Sequence, residues 1–431
     1  MLVNEPREPV SRLFIQGGYV LDPSSGRAEH SDLYIEDGRI ASAPSVPPSG
    51  ARIVKAKGLW VVPGLIDVHV HLREPGEEHK ETLETGLRAA AAGGFTTVVA
   101  MPNTKPAIDQ VAHLQMVLCR SPRSGVRLHQ ASALTFEREG KRLVDMAAML
   151  EAGAWVFTDD GNGLQDAGLM TQALEFTKRH RSIIAQHCED PVLSAGGVIN
   201  DGDVSRRLGL RGWPAAAEET MLERDVALVE KTAGRYHAQH VSTVGSAEIL
   251  RRSGSRGILI SSEVTPHHLY LTEEQISSLG SAAKVNPPLR TSSDVRALRK
   301  ALASGLIDMV ATDHAPHTLA DKTADIQRAA FGIPGLETAV PVMLDLVRLG
   351  DLSPLRMVEA MSTAPARCFG LTGGSLAPGD PGDVTLIDPA SPFVVDPSLF
   401  ESKARITPFE GMRFPGRAVM SIVGGVVVFE G

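Results

Sequence analysis

The 431-residue sequence predicts an α/β chain: a (β/α)8 TIM barrel carrying a small composite β-sandwich domain built from both chain ends. Three observations predict it. Eight apolar runs of strand length alternate with helical patterns through the middle of the chain. Both ends hold only short strand-like runs. The length is about three modal domains, enough for a barrel of about 250 residues with insertions and a second unit.

In chain order, residues 1–60 read as strands broken by turns. "SRLFIQGGYVLD", "DLYIEDGRIASA" and "ARIVKAKGLWVV" carry period-2 or β-branched apolar runs edged by Gly, Pro, Asp or Ser. Residues 370–431 have the same texture in "GDVTLIDP", "PFVVDP" and "RAVMSIVGGVVVFEG". Residues 61–369 differ. Their buried-strand runs are 64–72, 96–102, 127–134, 154–160, 182–188, 236–242, 258–265 and 308–313. Helical spacing appears over 81–92, 141–152, 169–179, 216–232 and 294–303, with Gly93, Gly153, Gly234 and Gly305 placed to close helices as left-handed residues. An open doubly wound sheet is the rival fold, but no GxGxxG stands at a strand–helix turn. Pro191–Pro214 is the longest candidate insertion.

Composition removes several classes of function. The chain is 43% hydrophobic and 22% charged, with 43 basic and 51 acidic residues and a formal charge of -8. Without a basic excess or a long Lys/Arg run, and with only 4% aromatics, nucleic acid is not an expected partner. No apolar run reaches membrane-span length, so no membrane association is expected. The polar segment Met1–Val10 lacks the apolar core of a secretory signal, and the three scattered cysteines form no CxxC. A cytoplasmic location is expected.

In a barrel, chemistry collects at the carboxyl ends of the strands. Run one ends in His69-Val70-His71, and residues two apart on a strand share a face. Run four ends in Asp159-Asp160, run five in His187, run six reaches His240, and run eight ends in Asp313. Any one histidine there is more simply a hydrogen-bonded rim residue. All five ends together are harder to explain by packing, because crowded imidazoles and carboxylates lose solvation and repel unless a cation sits among them. Nitrogen and oxygen donors without thiolate suit Zn²⁺, with Mn²⁺, Co²⁺ or Fe²⁺ also open. Among the other histidines, His30, His79, His113, His129 and His180 read as surface or packing residues. His237 and His314 should face away from the rim, His267 and His268 read as structural, and His317 reads as functional.

At these residues the sequence resembles bacterial dihydroorotase of the class I type, in the amidohydrolase superfamily. The likeness is carried in order by "PGLIDVHVHLREPG", "VVAMPNT", "FTDDG", "QHCED", "HVST", "EVTPHHLYLT", "VNPPLR" and "VATDHAPHT", from about Val62 to Phe369. The resemblance implies reversible cyclisation of N-carbamoyl-L-aspartate to L-dihydroorotate in pyrimidine synthesis. It implies one or two metal ions held by His69, His71, Asp160, His187, His240 and Asp313. Periodicity leaves Asp159 and Asp160 open; the resemblance chooses Asp160, which would also bridge two metals where many relatives use a carboxylated lysine. Asp313 would also shuttle the proton.

By the same likeness, Arg73, Asn103 and His317 would clamp the ring carboxylate, with His71 beside them. Asn286 and the backbone at Phe331 and Gly332 would contact the ring. The polar loop Thr318–Ala330 is a candidate lid. The partner implied is a small molecule; a homo-oligomer is expected, and association with aspartate transcarbamoylase fits the family. The alternatives weighed are allantoinase or dihydropyrimidinase, which need no carboxylate clamp, and a non-catalytic scaffold for the transcarbamoylase, which would lose metal ligands.

Overall fold

A computed structural model describes residues 12–120, 125–323 and 325–431. The strands of the middle region are parallel and form two arcs. Leu65–Val70, Phe95–Ala100 and Arg127–Gln130 make the first. Val156–Phe157, Ile183–Gln186, Tyr236–Ala238, Ser261–Val264 and Met309–Val310 make the second. Isolated parallel bridges join the arcs at both edges, Ser132 with Phe157 and Val70 with His314. The fold is thus mixed α/β. The run of apolar letters in these strands follows from their position: Leu65–Val70 and Phe95–Ala100 are buried at every residue, as parallel strands covered on both faces must be.

The helices stand in the expected places, with Ala216–Thr232 as expected, Ala167–Arg179 and Ser292–Ala303 starting earlier and two others shorter. Leu83–Ala92 starts at Thr82, whose hydroxyl caps Thr85, so Glu81 lies outside the helix. Met146–Glu151 starts at Asp145, which caps Ala148 and cuts off the predicted first turn. Ser292–Ala303 buries Val295, Leu298, Ala301 and Leu302 on one stripe behind a Thr291/Asp294 capping box. Two predicted helix-closing glycines need correction. Gly93 caps its helix with ordinary helical geometry at φ -75, and the left-handed residue is Gly94. Ala233, not Gly234, takes the left-handed position after Ala216–Thr232. Leu336–Arg348 has no counterpart among the predicted helices. It is buried at most positions, only a narrow polar stripe marks its period, and Pro341 in its interior argues in the sequence against a helix.

The two chain ends meet in one eight-stranded sheet. Its order is Val426–Glu430, Arg417–Val423, Val384–Asp388, Trp60–Pro63, Arg12–Asp22, Arg27–Glu36, Arg39–Ala41, with Arg52–Lys55 also paired to Arg12–Asp22. This sheet has its own apolar cluster, including Leu13, Ile15, Leu33, Val61, Val384, Leu386 and Ile422. Gly64 joins it to the first parallel strand, at a point where any Cβ would collide with the Thr96 side chain. Arg127 grips Asp383 with two hydrogen bonds of 2.9 and 3.1 Å and fixes the sheet to the third strand.

The insertion is ordered. Ile199–Asn200 pairs with Gly212–Trp213, and the buried Arg290 guanidinium donates to Asn200 Oδ1, the Trp213 carbonyl and Ser242 Oγ. Among the described residues, no helix is long and apolar enough to cross a membrane.

Candidate metal centre

Of the six expected metal ligands only His69 lies inside a parallel strand, and the others follow strand ends. Leu65–Val70 ends one residue short of His71, Tyr236–Ala238 two short of His240, and Met309–Val310 three short of Asp313. Arg73, His240 and Asp313 then turn into left-handed backbone, with φ of 60, 33 and 47. A residue with a Cβ pays on the order of 1 kcal/mol for that conformation. It persists here because neighbours pin the chain: the His71 N–H donates to the His314 carbonyl at 2.8 Å, and Val241 N to the Glu263 carbonyl at 2.9 Å. Strand alternation alone would put Arg73 on the face of His71, two residues back, but its left-handed backbone breaks that alternation. Arg73 reaches the rim through this kink.

These turns bring two groups of ligand atoms together, His69 with His71 and Asp160, and Asp160 with His187 and His240. Asp160 belongs to both. Its Oδ1 lies 3.3 Å from His69 Nε2, 3.7 Å from His187 Nδ1 and 3.8 Å from His240 Nε2, and its Oδ2 lies 3.5 Å from His71 Nε2. Asp313 Oδ1 lies 3.0 Å from His71 Nε2 and 3.6 Å from His69 Nε2. Asp159 is turned away, accepting the backbone N–H groups of Leu134 and Thr135 and the Thr135 hydroxyl. The geometry thus separates the two aspartates that periodicity could not.

Whether the residues fit a metal is decided by their far sides. His69 Nδ1 is 2.6 Å from Glu263 Oε1, His187 Nε2 is 2.9 Å from Glu189 Oε2, and His71 Nδ1 is 2.8 Å from Asn103 Oδ1. Each outer oxygen calls for a proton on the nitrogen it faces, which leaves the other nitrogen's lone pair aimed inward. His69 Nε2 and Asp160 Oδ1 are buried without a hydrogen-bond partner. Burial alone would raise Asp160, but His69, His187 and His240 hold it well below the usual carboxylate range. Burial would lower His69 and His187; Asp160 with Glu263 lifts the first well above normal, and Asp160 with Glu189 lifts the second to about 10. The pocket demands positive charge, and a divalent cation on these donors meets that demand.

A cavity of about 170 Å³ opens on this centre. Its walls include His71, Asp160, His187, His240 and Asp313 together with Arg73, Asn103, Asn286, His317, Phe331 and Gly332. Of the twelve residues the sequence singles out, His69 alone is absent from the lining, being sealed at 0% exposure behind the others. Arg73 Nε donates to the Pro316 carbonyl at 3.2 Å, and its Nη2 lies 3.3 Å from His317 Nε2. His317 Nε2 donates to the Phe331 carbonyl at 2.7 Å, so the neutral ring leaves Nδ1 as an acceptor. That revises the expectation of His317 as a carboxylate donor. Gly332 has φ 122, and a Cβ there would press on Ala315.

Other histidines fall out as follows. His113 lies 2.8 Å from the Ala107 carbonyl, His129 packs on Trp155, and His180 stacks on Phe176. His314 faces Glu81 and accepts from Gly335 N. His268 is held between Thr265 and the Pro287 carbonyl. His237 is absent from the cavity lining, yet it shares Glu263 with His69, at 3.0 Å from Oε2. Glu263 and Glu189 were not singled out from the sequence. The signal for Glu263 was an acid inside an otherwise buried strand, and for Glu189 its place two residues past His187.

Comparison with known proteins gives this parallel-strand α/β fold and its buried His/Asp centre a class, that of the cyclic amidohydrolases. A family profile described as "Dihydro-orotase-like" matches residues 58–246. A dihydroorotase of Pelotomaculum thermopropionicum is 47% identical over 97% of this chain and 99% of its own length. One from Anaeromyxobacter dehalogenans is 46% identical over 97% and 98%. Among solved structures, the L-hydantoinase (dihydropyrimidinase) of Arthrobacter aurescens superposes with a TM-score of 0.87 at 26% identity, covering 97% of this chain and 96% of that one. The chain belongs to the dihydroorotase family.

Proposed function

We propose that the chain is a metal-dependent dihydroorotase, hydrolysing the cyclic amide of L-dihydroorotate to N-carbamoyl-L-aspartate and reversing that step in pyrimidine (UMP) biosynthesis. The observation that carries the reading is Asp160 shared by two groups of buried ligand atoms, on the wall of a cavity that also holds the Arg73 guanidinium. His69, His71, Asp160, His187, His240 and Asp313 would hold one or two ions, Zn²⁺ first among the divalent metals that suit nitrogen and oxygen donors. A bound ion would polarise the scissile carbonyl and make the attacking water more acidic.

The chain's own groups do the rest. Asp313 is kept ionised despite burial by His69 and His71, so it can accept a proton from the attacking water and pass it to the departing ring nitrogen. The planar fork of Arg73 suits the ring carboxylate. Asn103 has its Oδ1 engaged by His71, which leaves its amide N–H groups for the substrate. His317 anchors the Phe331 carbonyl, and so places Phe331 and Gly332 against the ring. Asn286 Nδ2 rests 3.2 Å from Glu189, with its Oδ1 buried and unpartnered beside the cavity.

The same reading takes residues 61–369 as one closed (β/α)8 barrel, supported by the two bridges between the arcs, and takes 1–60 with 370–431 as a composite β-sandwich domain. A cytoplasmic homo-oligomer, able to associate with aspartate transcarbamoylase, completes it. Light scattering of the protein alone and mixed with the transcarbamoylase tests that part.

The decisive experiment compares turnover of dihydroorotate, dihydrouracil and allantoin by metal-replete protein, with metal counted per chain. Dihydroorotate should be turned over and the carboxylate-free rings poorly. Preference for dihydrouracil or allantoin would move the chain to the related hydrolases. No metal and no turnover after adding Zn²⁺ would leave a scaffold.

A further inference from the structure

Two lysine side chains are buried beside the cavity with no carboxylate in ion-pair range among the described residues. Lys284 and Lys322 are 2% and 3% exposed. A buried ammonium without an anion is rare, because its three N–H donors and its charge both need partners. Here the partners are backbone carbonyls. Lys284 Nζ donates to the carbonyls of Ile326 and Ala329 at 2.7 Å and of Gln327 at 3.3 Å. Lys322 Nζ donates to the carbonyls of Lys284 and Ala330, both at 3.0 Å.

The segment they grip has turns and bends but no helix or strand, so its carbonyls have no ladder to satisfy them. Burial and the Lys284 charge pull Lys322 down to about 7, and its N–H groups donate to these carbonyls in either protonation state. The grip continues into the cavity wall. Lys284 Nζ sits 4.1 Å from the centre of the Phe331 ring, the Lys284 carbonyl accepts from Gly332 N at 3.0 Å, and Trp213 meets the same ring edge-on at 5.7 Å.

We propose that Lys284 and Lys322 are positioning residues for substrate binding: their ammonium groups hold the carbonyls of residues 326–330 and thereby set Phe331 and Gly332 as a fixed wall of the cavity. The proposal rests on reading that cavity as the dihydroorotate site. Neither lysine touches substrate. Both act through a backbone wall that contacts ground state and transition state alike, so their loss falls on KM more than on kcat.

The test uses Lys284→Met and Lys322→Met in the full-length, metal-replete protein, with Lys322→Arg as the cation-retaining partner. KM for dihydroorotate should rise by about ten-fold or more while kcat changes by less than about three-fold. Metal per chain should be unchanged, amide hydrogen exchange at Ala330 and Gly332 should quicken, and Lys322→Arg should recover most of the KM. Faster exchange with unchanged KM would overturn the proposal, since the lysines would then only stabilise the loop. A fall in kcat accompanied by lost metal would overturn it as well. Should the Met variants not fold, the parent protein decides: Ala330 and Gly332 amides must exchange far more slowly than an open loop, and free exchange there overturns the clamp. A parent protein that does not turn over dihydroorotate sinks the reading of the cavity instead, whatever the exchange shows.

Discussion

The two ends of the parallel strands make an instructive pair. At the carboxyl ends lies a cavity of about 170 Å³; against the amino ends of the strands at Ile183, Tyr236 and Ser261 lies one of about 710 Å³. The larger space holds charged residues too, but they are already satisfied. Arg256 pairs with Glu230, Arg235 donates to the Cys368 carbonyl at 2.8 Å, and Asp308 accepts Ser262 N at 3.0 Å. At the smaller one, buried ligand atoms face inward without partners and three chain positions hold left-handed backbone. Unmet polar demand marks the chemistry; volume does not.

Substitution is the sharpest way to break this contrast. Asp313→Ala should lower kcat by about 10³-fold or more in steady-state assays, even with metal retained, because proton transfer is lost. An Asp313→Ala enzyme with normal kcat would remove the small cavity's claim. A pH effect comes next. Burial, reinforced by Arg73 and Lys80, pulls His317 down to about 3, and its side chain is 8% exposed. The unfolded chain, with His near 6.5, binds the extra proton first, so the stabilising contribution is present above about pH 6.5 and is lost as pH falls toward 3. From pH 6 to 4 this one group should cost on the order of 3 kcal/mol in urea unfolding, and His317→Asn should flatten that slope.

Arg73→Ala should raise KM for dihydroorotate by about 10- to 100-fold with little change in kcat, the range expected for losing a charged hydrogen bond. Unaltered kinetics would detach Arg73 from the ring carboxylate. Glu263→Gln should weaken metal binding by about 10- to 100-fold in chelator competition, since a carboxamide orients His69 less firmly than a carboxylate. The smallest effect belongs to the other end. Arg256→Ala breaks a pair whose side chains are 54% and 46% exposed, so activity should stay within about two-fold and stability within about 0.5 kcal/mol. A large loss of turnover there would undo the comparison.

How much was legible depended on the kind of signal. Period and composition placed the alternating body and the β-rich ends, because burial on both faces forces continuous apolar strands and one-sided burial forces helical stripes. Helix Leu336–Arg348 was missed for another reason: it is buried at most positions and carries Pro341 in its interior, so in the sequence it reads as an apolar run with a breaker in it. His69, His71, His187, His240 and Asp313 could be picked out because strand ends are where polar residues interrupt apolar runs. The choice of Asp160 needed the likeness to relatives, and the fold supplies the cause: Asp159 is spent on two backbone N–H groups and a hydroxyl of the neighbouring strand end.

By itself, then, the sequence determined which residue types stand at each strand end, and so that a cation-seeking centre belongs to this chain. Tertiary structure alone decided their partners. Glu263 lies 194 positions from His69, yet its carboxylate fixes which nitrogen of that ring looks inward. Lys284 finds its acceptors more than forty residues away, on a stretch with no periodic pattern. Periodicity reports which face of an element is buried. It carries no record of which distant group meets that face, because such pairings are set by how the elements pack and by the directed hydrogen bonds that packing allows.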